Sequence, residues 1–261
     1  MRTLIEGSAP GVRIEVLIEG EGPDVVLLPS AGRGAEDFAL LQQALAKAGY
    51  RSLAINPRGA GNSSRPQAGL TFRDVAADVA AVIDKLAGGT AHVVGHALGN
   101  TVARAVASYH PDRVRTVAVM PAGGHNTSTY PPDPEVMHHF PRCHDESLSD
   151  EDRLESVRVV FFAPGNDPSS WLDGWYPDAS AIAAAMQQSD PGEWALAGKA
   201  PILIVHPLED AMLPREADRE FAMQLGDRAH YVELARCGHA LLPEQPAMVA
   251  NVLVAFFEAN A

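Results

Sequence analysis

VVGHALGN, residues Val93 to Asn100, is the stretch on which the reading of this chain turns. Val93 and Val94 belong to the short apolar run AHVVGH, whose length and β-branched character suit a strand covered on both faces. LGNTVARAVASYH follows at once with helical spacing and stops before Pro111. The two are joined by a sharp strand-to-helix turn with Ala97 at its apex, between Gly95 and Gly99. An apex held at positive φ, with backbones packed close on either side of it, would account for both glycines. A non-glycine apex is strained by on the order of 1 kcal/mol.

Outward from this turn, strands alternate with helices. VRIEVLIEG reads as a half-buried strand, with Val12, Ile14, Val16 and Ile18 on one face and Arg13, Glu15 and Glu19 among the others. DVVLLPS, from Asp24, is a continuous apolar run. EDFALLQQALAKAGY reads as a helix stopped by Gly49, and RSLAINPRGAGNSS as a strand entering a glycine-rich turn. Thr71 opens the next helix with Asp74 three residues on, a capping-box pattern. Val75, Val79, Val82, Ile83 and Leu86 form its apolar stripe. RVRTVAVMPAGG, PILIVHP and AHYVELARCGH are further strands; PREADREFAMQL and QPAMVANVLVAFFEA are further helices.

This alternation predicts an α/β fold: a mostly parallel central sheet flanked by helices on both faces. Right-handed crossovers then align the strand C-terminal ends along one edge, where open sheets of this class place their sites. Residues 124–199 break the pattern and are rich in Pro, Trp, Asp and His. EDRLESVRVVFF and ASAIAAAMQQ are helical patches within them. An insertion this long between buried strands predicts a helical cap over the strand ends. The expected organisation is a core of residues 1–123 and 200–261, with a cap of residues 124–199.

The chain has 261 residues, enough to bury a core without disulfides or metal. Hydrophobic residues make up 46% and charged residues 20%, as in a soluble globule. A net charge of −13 argues against nucleic acid or an anionic membrane surface as partner. Cys143 and Cys237 form no disulfide framework. No apolar run approaches the ~20 residues of a membrane helix, and MRTLIEGSAPGVRIEVL carries no signal-peptide pattern. A cytoplasmic location is expected.

Four features, in this order, resemble the α/β-hydrolase family along nearly the whole chain outside the insertion. LLPSAGRG stands where the family has its oxyanion loop. INPRGAGNSS resembles its D-x-R-G-x-G-x-S turn, with Asn56 for the aspartate. GHALGN resembles the nucleophile elbow G-x-S-x-G, with Ala97 in place of serine. VHPLEDAMLP and CGHALLPEQP resemble the segments that supply an acid and a histidine. The resemblance implies the α/β-hydrolase fold, with Ala97 at the nucleophile position, His239 as general base and Asp210 as its orienting acid. An imidazole titrating near neutrality moves protons well, and a buried carboxylate holds its tautomer. The resemblance also implies an oxyanion hole built from the backbone N–H groups of Ala31 and Leu98, which survive any side-chain change.

Pro29-Ser30 replaces the family's usual His-Gly pair. Ser30, His96, Trp171 and Trp175 are expected to line the substrate pocket. Ser30 is a weak candidate for a substitute nucleophile, since nothing strains it into an attacking pose. Glu209 reads as a solvated loop charge, Cys237 as buried packing, and Arg33 and Arg58 as structural. His125, Asn126 and the HHFPRCH run of His138 to His144 show no metal-ligand spacing, so no metal or cofactor is expected.

Three readings of Ala97 stay open. It marks a serine hydrolase whose nucleophile has been changed to alanine. Or it is a natural alanine elbow, as in the resembling aminoacrylate-hydrolase-like proteins, where His239 and Asp210 would activate water or a substrate proton. Or the chain is a non-catalytic binder, against which the retained His239 and Asp210 stand. The first two share an enzyme acting on a small ester, lactone, amide or carbamate-like bond. Haloalkane or epoxide opening is disfavoured, since both need an aspartate at position 97. The expected partner is a partly apolar small molecule; a homodimer is left open.

Overall fold

The computed structural model describes residues 1–123, 130–131 and 133–261. His125, Asn126 and Gly124, where the predicted insertion begins, lie outside the described residues.

One eight-stranded sheet runs through the molecule. Its strands are β1 (Arg2–Glu6), β2 (Arg13–Glu19), β3 (Asp24–Leu28), β4 (Arg51–Asn56), β5 (Ala91–His96), β6 (Val114–Met120), β7 (Ile202–Pro207) and β8 (Ala229–Leu234). Their order is β1-β2-β4-β3-β5-β6-β7-β8. β1 and β2 pair antiparallel with each other, and β2 antiparallel with β4; the other pairings are parallel. β1 is absent from the sequence reading: Leu4 and Ile5 are consecutive and half-buried, so RTLIE shows no alternation.

Helices cover both faces, which is why the central strands are apolar throughout rather than alternating. Val93, Val117, Ile202 and Ile204 turn towards α2 (Phe72–Leu86), α3 (Leu98–Tyr109) and α8 (Arg215–Leu225). Their strand neighbours Val94, Ala118, Leu203 and Val205 turn towards α1 (Ala39–Lys47) and α10 (Pro246–Glu258). Burying each such side chain contributes on the order of 1.5–3 kcal/mol. The Thr71 cap of α2 forms as the sequence predicts, with the Asp74 N–H donating to Thr71 Oγ1 and the Thr71 N–H to Asp74.

Glu15 departs from the sequence reading. Placed there away from the apolar face of its strand, it is buried, because the turn after β4 folds over it. It accepts from Asn56 Nδ2 at 2.8 Å, the Asn62 N–H at 2.9 Å and Asn62 Nδ2 at 2.7 Å. Burial pushes its carboxyl up, but these hydrogen bonds outweigh that and hold it below the usual carboxylate range. Asn56 also accepts from the Ala35 N–H at 2.7 Å, with its other amide atom. An aspartate at 56 would set a second carboxylate against Glu15.

Between β6 and β7 the described residues form α4 (Pro134–His139), α5 (Asp150–Phe161), α6 (Ala181–Gln187) and α7 (Pro191–Trp194). Val157, Val160, Phe161, Phe162, Trp171 and Cys143 build a third apolar cluster, which reaches Ala240 on the loop after β8. The short helix α9 (Leu241–Glu244) follows that loop. Glu244 joins the two regions: it accepts from the N–H groups of Gly238 and Ala163 and from Asn166 Nδ2. Among the described residues, no helix is long and apolar enough to cross a membrane.

Candidate active site

The sheet order explains why distant sequence segments meet. The chain passes from β3 to β4 on one side and returns to β5 on the other, and Leu28 of β3 lies beside Gly95 of β5. A crevice opens outside the strand ends where the order reverses in this way. The residues after β3 and those after β5 therefore become neighbours. A Cβ on Gly99 would strike the Leu28 carbonyl, and one on Gly95 the Gly99 carbonyl, so close backbone approach is what demands glycine at both positions.

Ala97 has φ 48° and ψ −114°, a conformation that side-chain-bearing residues rarely adopt. Three contacts hold it there. The Ala97 N–H donates to Met120 O at 2.9 Å, and the Asn100 N–H to Ala97 O at 2.9 Å. Asn100 Nδ2 donates to Ala97 O at 2.5 Å and to the carbonyls of Pro121 and Ala122 at 2.9 and 3.1 Å. Asn100 was not singled out in sequence; its place one turn into the helix gives no hint of the loop it would meet.

Asp210 follows β7 and His239 follows β8. His239 Nδ1 donates to Asp210, with Oδ2 at 3.0 Å and Oδ1 at 3.2 Å. The Asp210 side chain is wholly buried and also accepts from the N–H groups of Met212 and Leu213 at 2.8 and 3.1 Å. Those amides fix the carboxylate, and the carboxylate fixes the ring with its other nitrogen free of described partners. The ring lines a cavity of about 610 Å³, together with Ala97, Leu98, Ser30, Ala31 and Trp175. The N–H groups of Ala31 and Leu98 have no acceptor among the described residues.

Two residues predicted for the pocket lie behind its wall. His96 is fully buried and donates from Nε2 to the His239 carbonyl at 2.7 Å. Alternation along β5 turns its side chain into the protein, away from the side that Ala97 faces. Burial, aided by the nearby His239 charge, lowers its pKa to about 3, so it stays neutral. Trp171 is 1% exposed and packs between Phe161, Phe162 and Arg33. Arg33 donates to both oxygens of Asp37, at 2.6 and 2.9 Å, and to Asp173 O at 2.7 Å, flanked by Trp171 and Trp175. Arg58 pairs with Asp78 at 2.7 Å. Glu209 is exposed and accepts from the Cys237 N–H; the Cys237 thiol is buried and pushed up to about 12. His138 meets His139 edge-on, and His139 bonds Ser156.

Curated relatives resemble part or nearly all of this chain in sequence. Bifunctional epoxide hydrolase 2 of Rattus norvegicus is 32% identical over 129 residues, which is 49% of this chain and 22% of that protein. This chain thus spans about a fifth of that relative's length. The 2-hydroxymuconate semialdehyde hydrolase of Pseudomonas sp. (strain CF600) is 26% identical, covering 97% of this chain and 93% of the relative. Among solved structures, the esterase EaEST from Exiguobacterium antarcticum superposes with a TM-score of 0.80 at 20% identity, covering 99% of this chain and all of the other, a likeness of fold. Residues 25–252 match the family described as "Alpha/beta hydrolase family", and the chain belongs to that family.

Proposed function

We propose that this chain is the disarmed form of a Ser-His-Asp hydrolase acting on a small ester, lactone, amide or carbamate-like bond. The observation that carries it is Ala97, strained to positive φ at the mouth of a helix and sharing a cavity with a histidine already paired to a buried carboxylate. A serine there would pass its proton to His239 Nε2 while its oxygen bonds to the substrate carbonyl carbon. The carbonyl electron pair would move onto oxygen and meet the Ala31 and Leu98 N–H groups. Collapse would expel the leaving group, which takes the proton back from His239, and water would then release the acyl group by the same steps.

Residues 124–199 act as the cap in this reading, with Trp175 and Phe161 supplying apolar wall. The intact His239–Asp210 pair also supports a second reading, in which His239 activates water directly in a natural alanine elbow. Epoxide opening, named for one relative, is left aside because position 97 has no carboxylate.

Ala97→Ser decides between the two. The first reading expects labelling by a fluorophosphonate probe, with hydrolysis of p-nitrophenyl esters rising by several orders of magnitude. A folded Ala97→Ser protein that is neither labelled nor faster rejects it. The water reading then requires that His239→Ala abolish whatever activity the parent shows.

A further inference from the structure

Three arginines are buried to 4% exposure or less among the described residues: Arg33, Arg58 and Arg104. Arg33 and Arg58 each grip a carboxylate, Asp37 and Asp78. Arg104 has none. Its Nη1 donates to Ala195 O at 3.1 Å, its Nε has no hydrogen-bond partner among the described residues, and no described ion pair includes it. Asp218 is the carboxylate whose charge acts on it. Both oxygens of that group are engaged elsewhere, by the Gly123 N–H at 2.6 Å and His206 Nδ1 at 2.8 Å. Burial consequently outweighs Asp218 and lowers the Arg104 pKa to about 10.

A buried cation without a partner is costly, and native structures seldom keep one idle. Arg104 lines the same cavity as Ala97 and His239. It lies two turns further along α3 on the same side, roughly 10 Å down the axis at about 1.5 Å per residue. Trp194 and Phe221 flank the guanidinium at 5.3 and 4.8 Å, which fixes its plane. In a chain of net charge −13, Arg104 is the one arginine or lysine among the described residues that line this cavity.

We propose that Arg104 is the carboxylate subsite of this cavity, so that the substrate carries a carboxylate several bonds from the bond it presents at Ala97. The inference rests on the hydrolase reading only for what happens at Ala97; the subsite itself is a binding claim. A carboxylate in the cavity would take a charge-assisted hydrogen bond from the edge of the guanidinium, and such pairs are strong where water is excluded.

Calorimetric titration of the parent chain with monoethyl suberate and with diethyl suberate tests it. The monoester should bind at least about tenfold more tightly than the diester. Arg104→Gln should erase the preference and Arg104→Lys should keep part of it. If a variant does not fold, the Arg104 Nε–H resonance of the parent should shift with monoester and stay still with diester. Equal binding of the two, no binding of either, an unmoved Nε–H, or a preference that survives in folded Arg104→Gln overturns the subsite. The outcomes separate from those of the hydrolase reading. A labelled Ala97→Ser protein with no carboxylate preference rejects the subsite alone. A charge-selective parent whose Ala97→Ser form is never labelled rejects the serine mechanism alone.

Discussion

His96 Nε2 lies 2.7 Å from the backbone carbonyl oxygen of His239. The carbonyl can only accept, so Nε2 carries the proton and Nδ1, which has no partner among the described residues, is bare. One histidine thus ties the end of β5, where the turn through Ala97 begins, to the loop that presents the other. His96→Leu keeps the bulk and removes the donor, leaving the His239 carbonyl without it. We expect a loss of about 1–3 kcal/mol in urea unfolding. In the Ala97→Ser background, fluorophosphonate labelling should slow, and His96→Gln, which retains a donor, should restore part of the rate. Equal labelling in all three would show that His239 is placed without this bond.

Acid should act through the same residue. The pKa of His96 falls from an ordinary 6.5 to about 3 through burial first and the His239 charge second. His92, also desolvated, falls to about 4. Between those values and 6.5 the unfolded chain binds protons that the folded chain does not. Stability therefore falls as pH falls through this window and is unaffected by these groups above it. The full effect of His96 is on the order of 5 kcal/mol. Chemical unfolding from pH 7 to 4 should show the decline, and replacing both histidines with glutamine should flatten it. An unchanged slope would assign the acid sensitivity to carboxylates.

The apex alanine should be a stability liability. At φ 48° and ψ −114° it stores strain of about 1–3 kcal/mol, which glycine would relieve. Glycine gives back roughly 0.5–1 kcal/mol through the greater freedom of its unfolded chain. Ala97→Gly should thus raise stability by about 1 kcal/mol, read as a higher denaturation midpoint with an unchanged slope. A lower midpoint would mean that the turn accommodates alanine without strain.

Asp210→Asn should leave the fold intact and spoil the pair. An amide can donate to His239 Nδ1 and so favours the wrong tautomer. In an Ala97→Ser protein with esterase activity, kcat should drop by about four orders of magnitude. A drop below tenfold would indicate that His239 is oriented by something other than Asp210.

The sequence by itself determined a good deal. Strand-helix alternation predicted the doubly covered sheet, and the Thr71–Asp74 pair predicted the start of α2, because hydrophobic period and capping are local properties. The resemblance of GHALGN, VHPLEDAMLP and CGHALLPEQP, in that order, to segments of a known family is what named Ala97, Asp210 and His239 together. Only the tertiary structure decided which side chains face the cavity and which carry one another. His96 and Trp171 were expected at the pocket and lie behind it. Glu15 was placed away from the apolar face and is buried beneath the turn after β4. Asn100, Glu244 and Arg104 had no local signal, since each is defined by a segment far away in the chain: Pro121 and Ala122 for Asn100, Ala163 for Glu244, Ala195 for Arg104. Periodicity says that a residue turns inward. What it meets there, a carboxylate for Arg33 and none for Arg104, depends on how separate segments pack, and no short stretch of sequence contains that.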